Sequence, residues 1–169
     1  FTHSSLTDYS VRKAQTTQIK TLNSFLQEVV ETLPFGLVVL DDTRRVVLKN
    51  RLFSSLLDYP EDLIVAGQSN FSDIVRFNHQ RGDYQGRAYD EVLNSYVNAM
   101  VTGQNVKFER RQANDIYLSV SGLPLTSGMT LLTYTDITVH KQSEQTLDEA
   151  KQAAEAATVA KSAFIANMS

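Results

Sequence analysis

Three patterns of apolar spacing follow one another along the chain. In residues 7–33, Ile19, Leu22, Leu26, Val29 and Leu33 recur at intervals of three and four, and no glycine or proline interrupts them. That repeat marks one face of a helix. Such a seam either packs the helix on its own domain or pairs it with a second chain. Pro34 and Gly36 close the segment, because proline lacks an N–H and its ring clashes with the preceding turn.

The middle of the chain changes period. Residues 36–41 (GLVVLD) and 45–48 (RVVL) are short β-branched runs around an Asp42-Thr43 turn, which predicts a pair of strands. Asn50 is placed to cap a helix carrying Leu52, Phe53, Leu56 and Leu57, which Pro60 ends. Residues 61–64 suit one short turn. A helix is expected over 71–77 and another over 89–101, the second with Tyr89, Val92, Leu93, Tyr96, Val97 and Met100 on one face and Gly103 as its C-cap. Residues 82–86 form a loop between them. Three strands follow at 106–111, 116–124 and 129–134, separated by Asn114-Asp115 and Ser127-Gly128 turns. The order β-β-α-α-α-α-β-β-β predicts an α+β fold: one five-stranded antiparallel sheet with helices on one face.

From residue 137 onward glycine and proline disappear again. Leu147, Ala150, Ala154, Ala157, Lys161, Phe164 and Met168 repeat at three and four. An alanine-rich seam lets two helix axes approach closely but buries little area per residue, so the coil it forms is weak and can change register.

Composition narrows the function. Of 169 residues, 42% are hydrophobic and 21% charged, the balance of a globular protein. A net charge of -3 argues against a nucleic-acid surface, which needs concentrated basic charge. No apolar run approaches the roughly 18 residues of a membrane span, and no signal-peptide pattern is present. The absence of cysteine excludes disulfides, thiolate metal sites and cysteine nucleophiles. No Ser-His-Asp pattern, H-E-x-x-H or Walker loop occurs, and turn chemistry accounts for the Asp41-Asp42 carboxylates. These residues are not expected to catalyse a reaction. The chain begins with Phe1 and runs out on Ser169 within a helical pattern, so it reads as a segment of something longer.

Residues 33–50 (LPFGLVVLDDTRRVVLKN) resemble the opening of a PAS domain. Residues 129–138 (MTLLTYTDIT) resemble its exit, with Asp136-Ile137-Thr138 similar to the family's D-I-T signature at the junction to a signalling helix. The additional helix within residues 84–103 is similar to a PAS subfamily often found in hybrid histidine kinases. Residues 147–169 (LDEAKQAAEAATVAKSAFIANMS) resemble the helix that enters the dimerisation and phosphotransfer domain of sensor histidine kinases. In that family Lys-Ser-x-Phe-(Leu/Ile)-Ala-Asn-Met-Ser precedes the phosphoacceptor histidine, which would stand one position past Ser169. The resemblance implies a signalling helix at 1–33, a PAS sensor at 34–138 and a coiled-coil linker at 139–169.

It also implies a homodimer, with Ile19, Leu22, Leu26, Val29, Leu147, Ala150, Ala154, Ala157 and Phe164 at the interface, and Asp136, Ile137 and Thr138 as the relay. The parent would be an ATP-dependent histidine kinase. Its partners would be kinase and receiver domains of the same chain or a separate response regulator. The segment would be cytoplasmic, whether or not the parent is anchored in the inner membrane. The alternative is a PAS module that only dimerises. A regulator of cyclic-dinucleotide enzymes fits the family but not the Lys161–Ser169 motif.

Many PAS domains enclose a ligand. Adduct-forming flavins and other cysteine-linked chromophores are excluded here. Haem would need an axial ligand. Of the three histidines only His79 lies near a pocket, among polar neighbours that suit a solvated side chain, so no cofactor is expected. Phe71, Phe77, Tyr84, Tyr89 and Tyr96 cluster in sequence around Arg76, Arg81 and Arg87. Phe71, Phe77, Tyr84 and Tyr96, with Arg76 as a fork, would suit a small carboxylate; the same aromatics would equally fill a core. Strand alternation sets Glu109 and Arg111 on one face and Arg110 on the other. One of these arginines is a candidate to tether Asp136, or both face water.

Overall fold

The structure is a computed structural model describing residues 2–168. A long helix α1 (Thr2–Thr32) leads into strands β1 (Gly36–Leu40) and β2 (Val46–Lys49), and helices α2 (Arg51–Leu56), α3 (Phe71–Arg81) and α4 (Tyr89–Val101) follow. Strands β3 (Val106–Arg111), β4 (Tyr117–Pro124) and β5 (Thr130–Asp136) complete the domain, and a second long helix α5 (Thr138–Met168) leaves it. All pairings are antiparallel and the strand order is β2-β1-β5-β4-β3. The α+β architecture expected from the sequence is present; residues 61–64 form turns as expected, so three helices rather than four stand between β2 and β3.

Local chemistry fixes the element ends. The β1–β2 turn is held by Asp41, whose Oδ1 accepts from the Thr43 N–H, the Thr43 hydroxyl and the Arg45 N–H, all within 2.9 Å. These bonds, the Thr43 hydroxyl foremost, draw its pKa below the ordinary carboxylate value. α3 starts at Asn70, whose Oδ1 accepts from the Ser72 N–H while the Asp73 carboxylate accepts from the Asn70 N–H. It ends at Arg81, four residues beyond the expected end, with Gly82 as C-cap in the left-handed region at φ 89°.

Asn50 caps α2 and does more. Its Oδ1 accepts from the Phe53 N–H and the Leu37 N–H, and its Nδ2 donates to the Val30 and Phe35 carbonyls. One buried amide thereby joins α1, β1 and α2.

The core lies between the sheet and the three short helices. Val38, Leu40, Val46, Leu118, Val120, Leu132 and Tyr134 face Phe53, Leu57, Phe71, Ile74, Val75 and Val92. Edge-to-face rings run through it: Tyr134 on Phe53, Phe53 on Tyr59, Tyr59 on Phe77. On the opposite face the register aligns Leu48, Val39, Leu131 and Leu123 in one row across four strands, with Leu48 and Leu123 exposed.

The two long helices contribute almost nothing to this core. No residue of α5 is buried. Ile19, Leu22, Leu26 and Val29 of α1 are exposed, as are Leu147, Ala150, Ala154, Ala157 and Phe164 of α5.

Candidate functional site

A cleft of about 830 Å³ opens between α4 and the edge strand β3, closed at one end by the 82–87 loop. Its apolar wall is Val92, Tyr96 and Ala99 from the helix and Val106 and Phe108 from the strand. Tyr96 packs on Phe71 at 5.3 Å and on Phe108 at 5.5 Å between ring centroids. Strand alternation points Val106, Phe108, Arg110 and Gln112 to the same side, so the wall grades from apolar to polar along β3.

At the polar end stands an ionic cluster. The Asp83 side chain is fully buried and is gripped by Arg81, with Nη2 at 2.6 Å and Nε at 3.1 Å from Oδ2. It also accepts from the Ala113 N–H at 3.0 Å. Burial pushes the Asp83 pKa upward, but the Arg81 bonds, the Ala113 N–H and the two guanidinium charges outweigh it and leave the carboxyl below its ordinary value. Arg81 also donates to the Leu57 carbonyl and lies over the Tyr59 and Phe77 rings.

Arg110 is the less satisfied partner. Its side chain is only 10% exposed, and Nη1 stands 3.5 Å from Asp83 Oδ2. Neither Nη1 nor Nε forms a hydrogen bond. Its guanidinium lies 5.3 Å from the centroid of the Tyr84 ring. Gln112 is buried with both amide atoms unbonded.

The sequence-derived ligand residues are thus divided. Tyr84 and Tyr96 line the cleft. Phe71 supports Tyr96 from the core, whereas Phe77 packs on Tyr59 away from the cleft. Arg76 is exposed, with its guanidinium over Tyr89; the cleft's buried arginine is Arg110 instead. His79 packs edge-on against Tyr89 and lines neither the cleft nor the narrow apolar crevice beside it. Among the described residues no three His, Asp or Glu side chains gather as metal ligands.

The exit junction is bonded to three strands. Asp136 ends β5, and its Oδ1 accepts from the Thr138 N–H at 2.8 Å. The Ile137 N–H donates to the Tyr117 carbonyl, and the Tyr117 N–H donates back to Thr138 Oγ1 at 2.9 Å, tying the start of α5 to β4. Lys141 Nζ sits 2.7 Å from Glu109 of β3 and 3.4 Å from Glu144. Among the described residues no arginine tethers Asp136: Arg110 pairs with Asp83 and Arg111 with Asp115. The side-chain link from β3 to α5 is the Glu109 carboxylate, a residue whose exposed position on the strand gave no hint of a partner 32 positions away.

Comparison with known proteins agrees with this geometry. The family model described as PAS fold matches residues 30–145. No curated protein matches the chain. Among solved structures, the PAS domain of an HTR-like protein from Haloarcula marismortui is similar at 20% identity and a TM-score of 0.53, covering 74% of this chain and 99% of that one. The PAS domain of BvgS from Bordetella pertussis is similar at 12% identity and a TM-score of 0.52, covering 79% and 98%. A domain of a sensory box sensor histidine kinase/response regulator from Geobacter sulfurreducens is similar at 17% identity and a TM-score of 0.48, covering 70% and 96%. At these identities the Haloarcula and Bordetella structures show a likeness of fold alone. With the family match spanning all five strands, the three short helices and the junction to α5, the chain belongs to the PAS fold family.

Proposed function

We propose that this chain is the sensing and relay segment of a cytoplasmic two-component sensor histidine kinase, acting as a parallel homodimer. The observation that carries the reading is the junction, where α5 continues from β5 without a linker and is bonded to β4 through Tyr117 and to β3 through Glu109. A small displacement of β3 or β4 is therefore felt at the base of the helix. The exposed seams of α1 and α5 are the surfaces a second copy would cover, and Ala150, Ala154 and Ala157 would let the α5 pair sit close. The Lys161–Ser169 motif is the reason for choosing a histidine kinase as the receiver of the signal, with the kinase and receiver domains or a response regulator further along the pathway.

In this mechanism a signal favours one of two packings of the paired α5 helices. The difference in free energy between them, transmitted by Asp136, Ile137 and Thr138, sets the fraction of dimers with the phosphoacceptor correctly placed. Inserting one residue at Ala154 in the parent kinase rotates everything beyond it by about 100° and should change autophosphorylation severalfold in either direction. Unaltered autophosphorylation, or a strictly monomeric chain by native mass spectrometry at micromolar concentration, would refute the relay.

A further inference from the structure

We propose that the cleft between α4 and β3 binds an amphipathic carboxylate, with Arg110 as the group that recognises its anionic head. The inference rests on the sensor reading and gives it a chemical class of input.

Charge accounting at the cluster is the first argument. Arg81 and Arg110 share a single buried carboxylate, and Asp83 spends its short bonds on Arg81 and the Ala113 N–H. Arg110 is left nine-tenths buried with an ion pair of 3.5 Å and two unbonded N–H positions. An arginine cannot shed its charge to escape such a site, and an incompletely paired buried ion is costly. The surrounding phenols do not neutralise it. Burial raises the pKa of Tyr59, Tyr84, Tyr96 and Tyr134, so all four remain neutral around neutral pH. The Tyr84 ring contributes a cation–π contact only. A bound carboxylate supplies the missing charge and accepts from the guanidinium fork.

Shape is the second argument. Moving away from Arg110 along β3, the wall becomes Phe108 and Val106, faced by Tyr96, Val92 and Ala99 of α4. That surface suits an aromatic or short aliphatic body lying behind the headgroup. Of the cations that line the cleft, Arg87, Arg111 and Lys141 are held by Glu91, Asp115 and Glu109 at 2.7–2.8 Å, so Arg110, 3.5 Å from Asp83, is the one whose charge a bound anion would complete. The cleft also touches Glu109 and Lys141, the pair that joins β3 to α5, so occupancy and output meet on one strand.

The test uses the whole chain and two matched pairs of probes, benzoate with benzyl alcohol and hexanoate with 1-hexanol, in calorimetric titrations and thermal unfolding. At least one acid is expected to bind and to raise Tm well above the effect of its alcohol. Arg110→Met, which removes the charge but keeps an apolar stem, should weaken that acid's binding by about tenfold or more. Equal binding of acid and alcohol, or an unchanged affinity in Arg110→Met, overturns the anion assignment while leaving an apolar ligand cleft. No binding by any of the four overturns the inference altogether, and the relay then stands or falls on the Ala154 insertion. Should Arg110→Met fail to fold, crystals of the unaltered chain with 4-bromobenzoate decide: a bromine signal against Phe108 with the carboxylate on Arg110 supports the site, and bromine elsewhere or none refutes it.

Discussion

Asn50→Ala should be among the most damaging single changes to the domain, although it removes only a small polar group. The side chain is 1% exposed and all four of its hydrogen bonds go to backbone groups. Losing the cap on α2 costs about 1 kcal/mol. The Leu37 N–H, inside the sheet, is left without an acceptor, at about 1–3 kcal/mol. The bonds to the Val30 and Phe35 carbonyls are only part-buried and add less. The sum is about 3 kcal/mol, or roughly 12 °C in Tm for a domain of this size. Far-UV circular dichroism would be dominated by two 31-residue helices, so the measurement should follow near-UV dichroism or tyrosine emission in urea; there is no tryptophan. Asn70→Ala is the comparison. It removes the cap of α3 at a partly buried position and should cost about 1 kcal/mol. If the two variants lose the same stability, the cost assigned to the buried Leu37 N–H is wrong.

Gly36→Ala would place a methyl group 2.9 Å from the Phe53 Cα, a backbone atom that cannot swing aside. About 1–3 kcal/mol of stability should be lost, and an unchanged urea midpoint would mean that α2 is free to shift on β1. Asp83→Asn should cost about 3 kcal/mol by leaving two guanidinium groups without their anion. Because the folded-state pKa of Asp83 is depressed, its contribution is full above the unfolded value near 4 and falls away as pH drops through the lower, folded one. Acid unfolding below about pH 4 should therefore be less steep in Asp83→Asn. Glu109→Gln should leave Tm unchanged, since both members of its pair with Lys141 are solvated, yet, on the proposed function, alter autophosphorylation of the proposed parent kinase. A parallel loss of stability and output would make that pair merely structural.

The strands and the two long helices are legible in the sequence because each is a local pattern. β-Branched runs bounded by turn residues gave all five strands to within a few positions, and the seams of three and four marked α1 and α5 well enough that only their ends moved. α3 was foreseen as too short because Asn78, Gln80 and Arg81 look like loop residues; in the fold Asn78 is buried, bonded to Tyr59 and Tyr84. The cleft was half legible. Tyr84 and Tyr96 fall on helical and loop positions that point inward, but which arginine accompanies them depends on strand register, and Arg110 lies 34 residues from Arg76 in sequence. The Leu48–Val39–Leu131–Leu123 row was invisible for the same reason, since no two of its members are neighbours along the chain.

The strand order carries a consequence for how such a domain computes. The incoming helix is fastened through Asn50 to β1 and α2, toward one edge of the sheet. The cleft lies at the other edge, on β3. The outgoing helix springs from β5, the middle strand of the five. The two edges are thus joined to one central strand through separate hydrogen-bond ladders, β1 on one side and β4 on the other. If the proposed relay operates, a signal at either edge reaches β5 without having to cross the other.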